Sequence, residues 1–258
     1  MKTLVCANHK GGVGKTATTH NLGALLASEH GRRVLLVDLD PQSSLTAACG
    51  VDGATGDSLA AVLGDTAPGR VPLGAILREI APGLWLAPAD IALAVSELGL
   101  QTRLGRENVL RRALGTVVGR FDVCLIDCPP GLGLLTVNGL VAADAVLIPT
   151  QPQGADLRAL QLFLDTIERV RDLNPSLAVL GVLATFYDGR LTHHKDAIEA
   201  LKGAGLPVLA VTVGRSVRVA EATAAGQPVS VYDPRNPQTG AYRELAKEVD
   251  RWLANDPT

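Results

Sequence analysis

The feature that most constrains the fold is a short run rich in glycine and lysine near the start of the chain, Lys10-Gly11-Gly12-Val13-Gly14-Lys15-Thr16. An apolar segment, residues 3–7, precedes this run, and a helix-like segment, residues 17–28, follows it. A strand, a glycine-rich loop and a helix in this order form a P-loop, which binds phosphate groups through backbone N–H groups. The sequence therefore predicts a phosphate-binding loop at the end of the first strand.

The residue types in the run fit this chemistry. Glycines have no Cβ, so the loop backbone can turn its N–H groups inward around phosphate oxygens. Lys15 then reaches the β and γ phosphates, and Thr16 offers its hydroxyl to Mg²⁺. The strict pattern is not met, because His9 stands where a glycine is usual and Lys10 adds a second cation. We expect nucleotide contacts from Lys10, Gly11, Gly12, Val13, Gly14, Lys15, Thr16 and Ala17.

Apolar, β-branched segments alternate with helical patterns along the rest of the chain. Several of them, such as residues 34–37 and 123–126, are nearly continuous, which is typical of strands covered by helices on both faces. Residues 154–173 repeat apolar positions at helical spacing. The pattern predicts a doubly wound α/β fold with a mainly parallel sheet, in a single domain over residues 1–258. Strands are predicted at residues 3–8, 33–38, 84–87, 121–127, 145–149, 178–184 and 207–213.

Three aspartates lie at or just after the ends of predicted strands and are candidates for chemistry on the phosphates. Asp127 ends an apolar strand in the manner of a Walker B carboxylate and is expected to help hold Mg²⁺. Asp38 and Asp40 cluster at the end of another strand, and the carboxyl ends of parallel strands meet at one edge of a sheet. Residues 129–133, Pro-Pro-Gly-Leu-Gly, are either a switch that responds to the γ phosphate or a simple loop terminator.

The chain carries a series of ordered motifs, which are Asn8-His9-Lys10-Gly11-Gly12-Val13-Gly14-Lys15-Thr16, Val37-Asp38-Leu39-Asp40-Pro41-Gln42, Ile126-Asp127-Cys128-Pro129-Pro130, Pro149-Thr150-Gln151-Pro152, Tyr187-Asp188-Gly189-Arg190 and Arg215-Ser216-Val217-Arg218. Through these motifs the chain resembles the deviant Walker A ATPases of the ParA/MinD type over nearly its whole length. Within that family it is most similar to the ParA/Soj partition ATPases.

This resemblance implies an enzyme that hydrolyses ATP with Mg²⁺ and forms an ATP-dependent homodimer. It implies catalytic roles for three residues: Lys10 crosses to the nucleotide of the partner subunit, Lys15 serves its own nucleotide, and Asp40 orients the attacking water. Thr16, Asp127 and Asp40 are the residues expected around the metal.

The resemblance also places the adenine near Thr185, Gly214 and Ser216, where backbone groups recognise the base. Two positions depart from the family. Ala17 stands where a second Thr or Ser is usual, and Gly214 stands where many members carry a proline.

Any nucleic-acid binding must come from a local patch, because the formal net charge of the chain is −2. Residues 186–220 carry five bases against three acids. The resemblance implies that Arg190 and Arg218 contact DNA in the ATP-bound dimer, and Arg215 in the same segment is a further candidate. Binding through phosphates alone is nonspecific and strongly salt dependent. The alternative is that these are ordinary solvated surface arginines.

Several functions remain open from the sequence. A ParA-type ATPase would coat nonspecific double-stranded DNA and be stimulated by a ParB-type centromere-binding partner. A MinD-type membrane ATPase would need a basic C-terminal helix, yet residues 239–258 carry three bases and four acids. An electron-transfer ATPase like the nitrogenase iron protein would need a further cysteine after Cys128, which is the last in the chain. A switch that positions cargo other than DNA is the remaining alternative.

Composition sets the other expectations. The apolar runs fall far below the ~20 residues of a membrane span and no signal peptide is visible, so we expect a cytoplasmic, nucleoid-associated protein without membrane contact. Cys6 and Cys124 are expected to act as buried small hydrophobes. We expect a surface excursion over residues 50–70 and a solvated pair at His193-His194. The stripe Tyr242, Leu245, Val249 and Trp252 is expected to pack into the core.

Overall fold

The computed structural model describes residues 1–52, 57–64 and 71–255. Strands and helices alternate along most of this part of the chain. The strands are β1 (Lys2–Cys6), β2 (Val34–Asp38), β3 (Arg78–Ala81), β4 (Leu84–Ala87), β5 (Val123–Asp127), β6 (Ala145–Thr150), β7 (Ala178–Thr185) and β8 (Val208–Val213). The helices are α1 (Lys15–Ser28), α2 (Ser44–Ala48), α3 (Leu59–Leu63), α4 (Leu73–Ile76), α5 (Ala92–Leu100), α6 (Val109–Gly115), α7 (Leu134–Ala142), α8 (Gly154–Val170), α9 (Thr192–Gly203), α10 (Val217–Ala224), α11 (Val229–Tyr232) and α12 (Pro237–Ala254).

The strands form one eight-stranded sheet in the order β3-β4-β2-β5-β1-β6-β7-β8. Neighbouring strands are parallel except β3, which pairs antiparallel with β4. Every residue of β2 and β5 is buried, because helices cover both faces of the sheet. Successive side chains of a strand point to opposite faces of the sheet, so they enter two separate core clusters. In β1, for example, Val5 belongs to one cluster and Leu4 to the other. The structure confirms the predicted doubly wound α/β fold.

The structure differs from the sequence predictions in two places. The sequence pattern does not predict strand β3, whose residues alternate between half-buried and exposed at the edge of the sheet and so give a weak apolar signal. The surface excursion predicted for residues 50–70 is wrong for α3, because Leu59, Val62 and Leu63 are buried. Residues 53–56 and 65–70 lie outside the described residues.

The predicted core role of the C-terminal stripe is confirmed. Tyr242, Leu245 and Val249 of α12 are buried, and Trp252 packs against the same core cluster. Cys6 and Cys124 are buried as expected. Among the described residues, no helix combines the length and the apolar character needed to cross a bilayer.

Candidate functional site

The glycine-rich loop joins β1 to α1 at the carboxyl edge of the sheet. Gly12 and Gly14 have φ angles of 72° and 87°, which lie in the left-handed region that residues with a side chain rarely adopt. Gly14 is also the N-cap residue of α1. The sequence therefore needs glycine at these two positions to form the loop and to direct the N-terminus of α1 toward it.

Hydrogen bonds to two other segments, the ends of β6 and β7, hold the loop in place. The Asn8 amide donates to the carbonyl of Pro149, with an N–O distance of 2.7 Å. The Gln151 amide donates to the Gly12 carbonyl at 3.0 Å, and the Thr185 hydroxyl donates to the Val13 carbonyl at 2.8 Å. The ends of β6 and β7 thus fix the loop from one side.

The two lysines of the run occupy different environments. Lys15 is 7% exposed, and its Nζ donates to the Lys10 carbonyl at 3.1 Å. Lys10 is half-buried, and its backbone N–H donates to Oδ1 of Asn8 at 3.0 Å. The backbone of Lys10 is therefore anchored on both sides, so its side chain leaves the loop from a defined position.

The predicted aspartates meet at the same edge of the sheet. Asp38 and Asp127 are register partners of the parallel strands β2 and β5. The Thr16 hydroxyl donates to Oδ2 of Asp127 at 2.6 Å. Oδ1 of Asp127 is buried and has no hydrogen-bond partner within the part of the chain that the structure describes. Oδ1 therefore remains available as an acceptor on the same carboxylate that binds the P-loop residue Thr16.

Burial shapes the protonation of these carboxylates. Burial is the main reason why the pKa of Asp127 lies well above its usual value, and repulsion from Asp38 and Asp40 raises it further. The pKa of Asp38 is raised to about 6, again mainly by burial, although hydrogen bonds from Thr46 favour its ionised form. Ionisation of these carboxyl groups would thus place more negative charge in the site than Lys15 compensates.

Asp38 and Asp40 are tied to each other and to α2. Oδ2 of Asp38 accepts from the backbone N–H of Thr46 at 2.8 Å and from its hydroxyl at 2.7 Å. Oδ1 of Asp38 accepts from the N–H of Asp40 at 3.1 Å, and Asp40 in turn accepts from the N–H of Gln42 at 2.9 Å. Asp38 therefore positions Asp40. Sequence reasoning missed Thr46, since nothing in its spacing marks it as a partner.

The segment after β5 touches the P-loop. The N–H of Gly131 donates to the His9 carbonyl at 2.9 Å, and a Cβ on Gly11 would lie 3.6 Å from Cβ of Pro130. The Thr136 hydroxyl of α7 donates to the Gly131 carbonyl at 3.1 Å. These contacts connect the P-loop to α7 through Gly131, and the switch interpretation depends on such a connection.

The residues predicted around adenine line one apolar cavity of about 290 Å³, which opens beside the P-loop. Thr185, Gly214 and Ser216 lie in its wall together with Ala17 and Phe186. Phe186 has a φ of 50°, an unusual conformation for a bulky residue, and such outliers cluster at functional sites. The cavity has the apolar lining and the position expected of a base subsite.

Sequence reasoning missed Gln238 in the first turn of α12. Its Oε1 accepts from the N–H of Gly214 at 2.6 Å, so that N–H is not available to a ligand. Asn236, which caps α12, lies 3.5 Å from the Ser216 hydroxyl. These two side chains anchor the loop that the resemblance assigns to adenine. They lie 20 and 24 positions from their partners in the sequence, so no local pattern predicted the contacts.

The three candidate DNA-binding arginines lie on the surface near this cavity. Arg190 donates to both carboxylate oxygens of Asp188, at 3.0 and 2.8 Å. Arg218 pairs with Glu221 at 2.9 Å, and the guanidinium of Arg215 lies 5.6 Å from the ring centroid of Phe186.

Arg190 and Arg215 border one open cavity of about 700 Å³, which His193 and His194 also line. The prediction of a solvated histidine pair is wrong for His194, which is 5% exposed, because its Nδ1 accepts the N–H of Asp188 at 3.0 Å. His194 therefore supports the segment that carries Arg190.

A parallel α/β sheet, a glycine loop leading into a helix, and buried aspartates at the adjacent strand ends define the class of P-loop nucleotide hydrolases. The AAA domain model AAA_31 matches residues 1–179. Together with the relatives described next, this match shows that the chain belongs to the AAA domain family and to the ParA/Soj group of partition ATPases.

The relatives match almost end to end. The sporulation initiation inhibitor protein Soj of Bacillus subtilis is 41% identical over 251 residues, which are 96% of this chain and 98% of Soj. The chromosome partitioning protein ParA of Caulobacter vibrioides is 41% identical over 254 residues, 96% of this chain and 94% of ParA. The crystal structure of cobyrinic acid a,c-diamide synthase from Mycobacterium smegmatis with bound ATP analog and magnesium is 41% identical, covers 99% of this chain and 96% of that chain, and has a TM-score of 0.86.

Proposed function

We propose that the chain is a partition ATPase that acts as one domain, binds ATP and Mg²⁺, and dimerises around the nucleotide. In the dimer it binds nonspecific double-stranded DNA, and ATP hydrolysis stimulated by a ParB-type partner releases it. The observation that carries the proposal is the pair of lysines in one anchored loop. Lys15 is buried and interacts electrostatically with Asp127, and Lys10 is half-buried. The names of Soj and ParA support the same assignment.

The site fits a divalent cation. Oδ1 of Asp127 is a buried acceptor that the described residues leave unpaired, and burial with repulsion from Asp38 and Asp40 holds the pKa of Asp127 high. A bound Mg²⁺ would supply positive charge that stabilises the ionised carboxylate and the phosphate oxygens. Thr16, Asp127 and Asp40 are the residues that we expect to hold it, directly or through water.

The remaining groups of the site divide the work on the nucleotide. The N–H groups of residues 11–17 and the buried ammonium of Lys15 bind and orient the phosphates. Asp40, fixed through Asp38, orients the attacking water and accepts its proton at a carboxylate oxygen. The cavity of Thr185, Gly214 and Ser216 takes the base.

Lys10 and the arginines then connect nucleotide state to partners. Hydrogen bonds with Asn8 and Lys15 fix the backbone of Lys10, and in our proposal its side chain contacts the nucleotide of a second subunit. A dimer doubles the exposed Arg190, Arg215 and Arg218, which favours binding to DNA phosphates at low salt. This gives ATP control over DNA retention and predicts a cytoplasmic, nucleoid-associated protein.

The experiment is retention on nonspecific duplex DNA with ATP, with ADP and without nucleotide, over a range of salt. We expect retention with ATP alone, lost in the double variant Arg190→Ala/Arg218→Ala. Each lost phosphate contact should lower the slope of log affinity against log salt by about 1. Arg243→Ala is the matched control, since Arg243 is also a partly exposed arginine paired with an acid, Glu29. Equal retention in all nucleotide states would reject partition and favour a cargo switch.

A further inference from the structure

Phe186, the residue directly after β7, belongs to the walls of two cavities. One is the apolar cavity of about 290 Å³ beside the P-loop, here called the base cavity. The other is the open cavity of about 700 Å³ that Arg190 and Arg215 border, here called the basic cavity. A Cβ added to Gly14 would lie 3.7 Å from Cε2 of Phe186, so the ring reaches the P-loop. A molecule in the base cavity would therefore meet a residue that also shapes the basic cavity.

Hydrogen bonds fix the backbone on both sides of Phe186. The Thr185 hydroxyl donates to the Val13 carbonyl in the P-loop at 2.8 Å, and the N–H of Tyr187 donates to the Val213 carbonyl of β8 at 3.0 Å. Between these anchors Phe186 has a φ of 50°, in the left-handed region that is costly for a bulky side chain. Such a conformation persists only where the surrounding structure imposes it, and it is concentrated at ligand sites and switch regions.

The position of Arg215 depends on this ring. The guanidinium lies 5.6 Å from the ring centroid, within the distance of about 6 Å at which a cation is attracted to an aromatic face. Arg190 and Arg218 each pair with an acid. The side chain of Arg215, by contrast, forms no ion pair or hydrogen bond with any residue that the structure describes. A change in the ring of Phe186 should therefore change where Arg215 lies.

We propose that Phe186 is a positioning residue that couples the base cavity to the basic surface. A bound base packs against the ring and restricts it, and the restricted ring holds the guanidinium of Arg215 at the basic cavity. Nucleotide thereby prepares an arginine for an anionic partner. The part played by the base rests on the proposed ATP site, and the consequence for DNA rests on the proposed partition function.

The test separates the base from the phosphates and uses no DNA. The NMR signals of the arginine Nε–H groups are followed while ADP or pyrophosphate is added with Mg²⁺, since pyrophosphate occupies the phosphate end alone. The Arg215 signal is assigned by its loss in Arg215→Lys. We expect ADP to shift this signal saturably and pyrophosphate to leave it unchanged. Arg243, which pairs with Glu29, is the matched control, and its signal should not move with either ligand.

Two variants test whether the response passes through the ring. Phe186→Leu keeps an apolar side chain and removes the aromatic face, so we expect ADP to bind about two- to tenfold more weakly. At saturating ADP the Arg215 signal should no longer respond. An unchanged affinity for pyrophosphate would show that the P-loop of this variant is intact. Phe186→Tyr keeps the ring and should restore both the ADP affinity and the response of Arg215.

Each outcome decides a separate point. The coupling is rejected if ADP binds without a response of Arg215, if pyrophosphate shifts the Arg215 signal as much as ADP does, or if Phe186→Leu keeps the full response. The comparison of ADP with pyrophosphate is made on the wild type and needs no variant. Absence of ADP binding would reject the nucleotide site together with the coupling. A response of Arg215 in a protein that does not retain DNA with ATP would reject the partition function and leave the coupling standing.

Discussion

The phosphate end of the nucleotide site and the basic surface hold their charges in opposite ways. Lys15 and Asp127 are buried, and Oδ1 of Asp127 lacks a partner among the described residues. On the basic surface, Arg190 and Arg218 are 90% and 57% exposed, and each pairs with an acid a few residues away in sequence. Buried charges interact strongly and are costly to leave unpaired, whereas exposed pairs contribute little.

The difference suits the two tasks that we propose. A ligand that supplies the missing charge at the phosphate end gains much, so binding there is tight and specific. On the surface, an arginine would exchange a carboxylate for a DNA phosphate at little net cost, so the proposed binding to DNA would be weak per contact and reversible. We therefore expect substitutions at the phosphate end of the nucleotide site to have large effects on activity and stability. Substitutions on the basic surface should have small effects on DNA affinity.

The largest effect should come from Lys15→Ala. Removal of the buried ammonium leaves the phosphates without their main cation, and we expect ATP hydrolysis to fall by about 10²–10³-fold, as when one preorganised electrostatic group is removed from an active site. Steady-state phosphate release measures it. Lys202→Ala, which removes an exposed lysine paired with Glu199, should leave the rate unchanged. A comparable loss of ATP hydrolysis in both variants would contradict the difference that we infer between buried and exposed charges.

A smaller effect should appear in the dependence of the free energy of unfolding on pH. The pKa of Asp38 is raised to about 6 in the folded protein, so between about pH 4 and pH 6 the folded state binds a proton that the unfolded state has lost. The free energy of unfolding from this group therefore falls as pH rises through that window, by about 2–3 kcal/mol. Urea denaturation without nucleotide or metal should show this loss in the wild type. In Asp38→Asn the loss should be smaller, because Asp127, whose pKa is also raised, still contributes to it.

Asp122 provides the control of opposite sign. Its pairing with the partly exposed Arg33 lowers its pKa, so its small stabilisation is present at neutral pH and is lost as pH falls. Asp122→Asn should therefore lower stability slightly at pH 7 and little at pH 3. If the free energy of unfolding of Asp38→Asn depends on pH as that of the wild type does, ionisation of the buried Asp38 does not destabilise the fold as we expect.

The smallest effect should come from Asp188→Asn. This change keeps the shape of the side chain and removes the charge that pairs with Arg190. Because exposed ion pairs contribute about 0.2–1 kcal/mol, we expect DNA affinity at low salt to rise by about two- to fivefold. Glu199→Gln, which frees a lysine away from the three arginines, should have a smaller effect. A rise of a hundredfold or more would mean that the surface pairs are as strongly coupled as the buried groups.

The sequence predicted what depends on local pattern. Nearly continuous apolar runs predicted the buried parallel strands, and the glycines predicted the backbone of the loop, since φ values of 72° and 87° require them. The placement of Asp38 beside Asp127 also followed, because parallel strands end at the same edge. The roles of these residues in catalysis stay predictions.

Contacts between distant segments could not be predicted in the same way. Gln238 holds Gly214 across 24 positions, and His194 is buried because it accepts the N–H of Asp188. Strand β3 is a four-residue edge strand without an apolar run.

The most direct test of the central claim, that Lys15 serves its own nucleotide and Lys10 the partner's, is the mass of the protein in solution with ATP and Mg²⁺. Asp40→Ala serves as the background, since loss of the water-orienting carboxylate should preserve the ATP-bound state. We predict that Asp40→Ala sediments as a dimer with ATP, and that Asp40→Ala/Lys10→Ala binds ATP but stays a monomer. Equal dimer formation by the two variants would contradict the account.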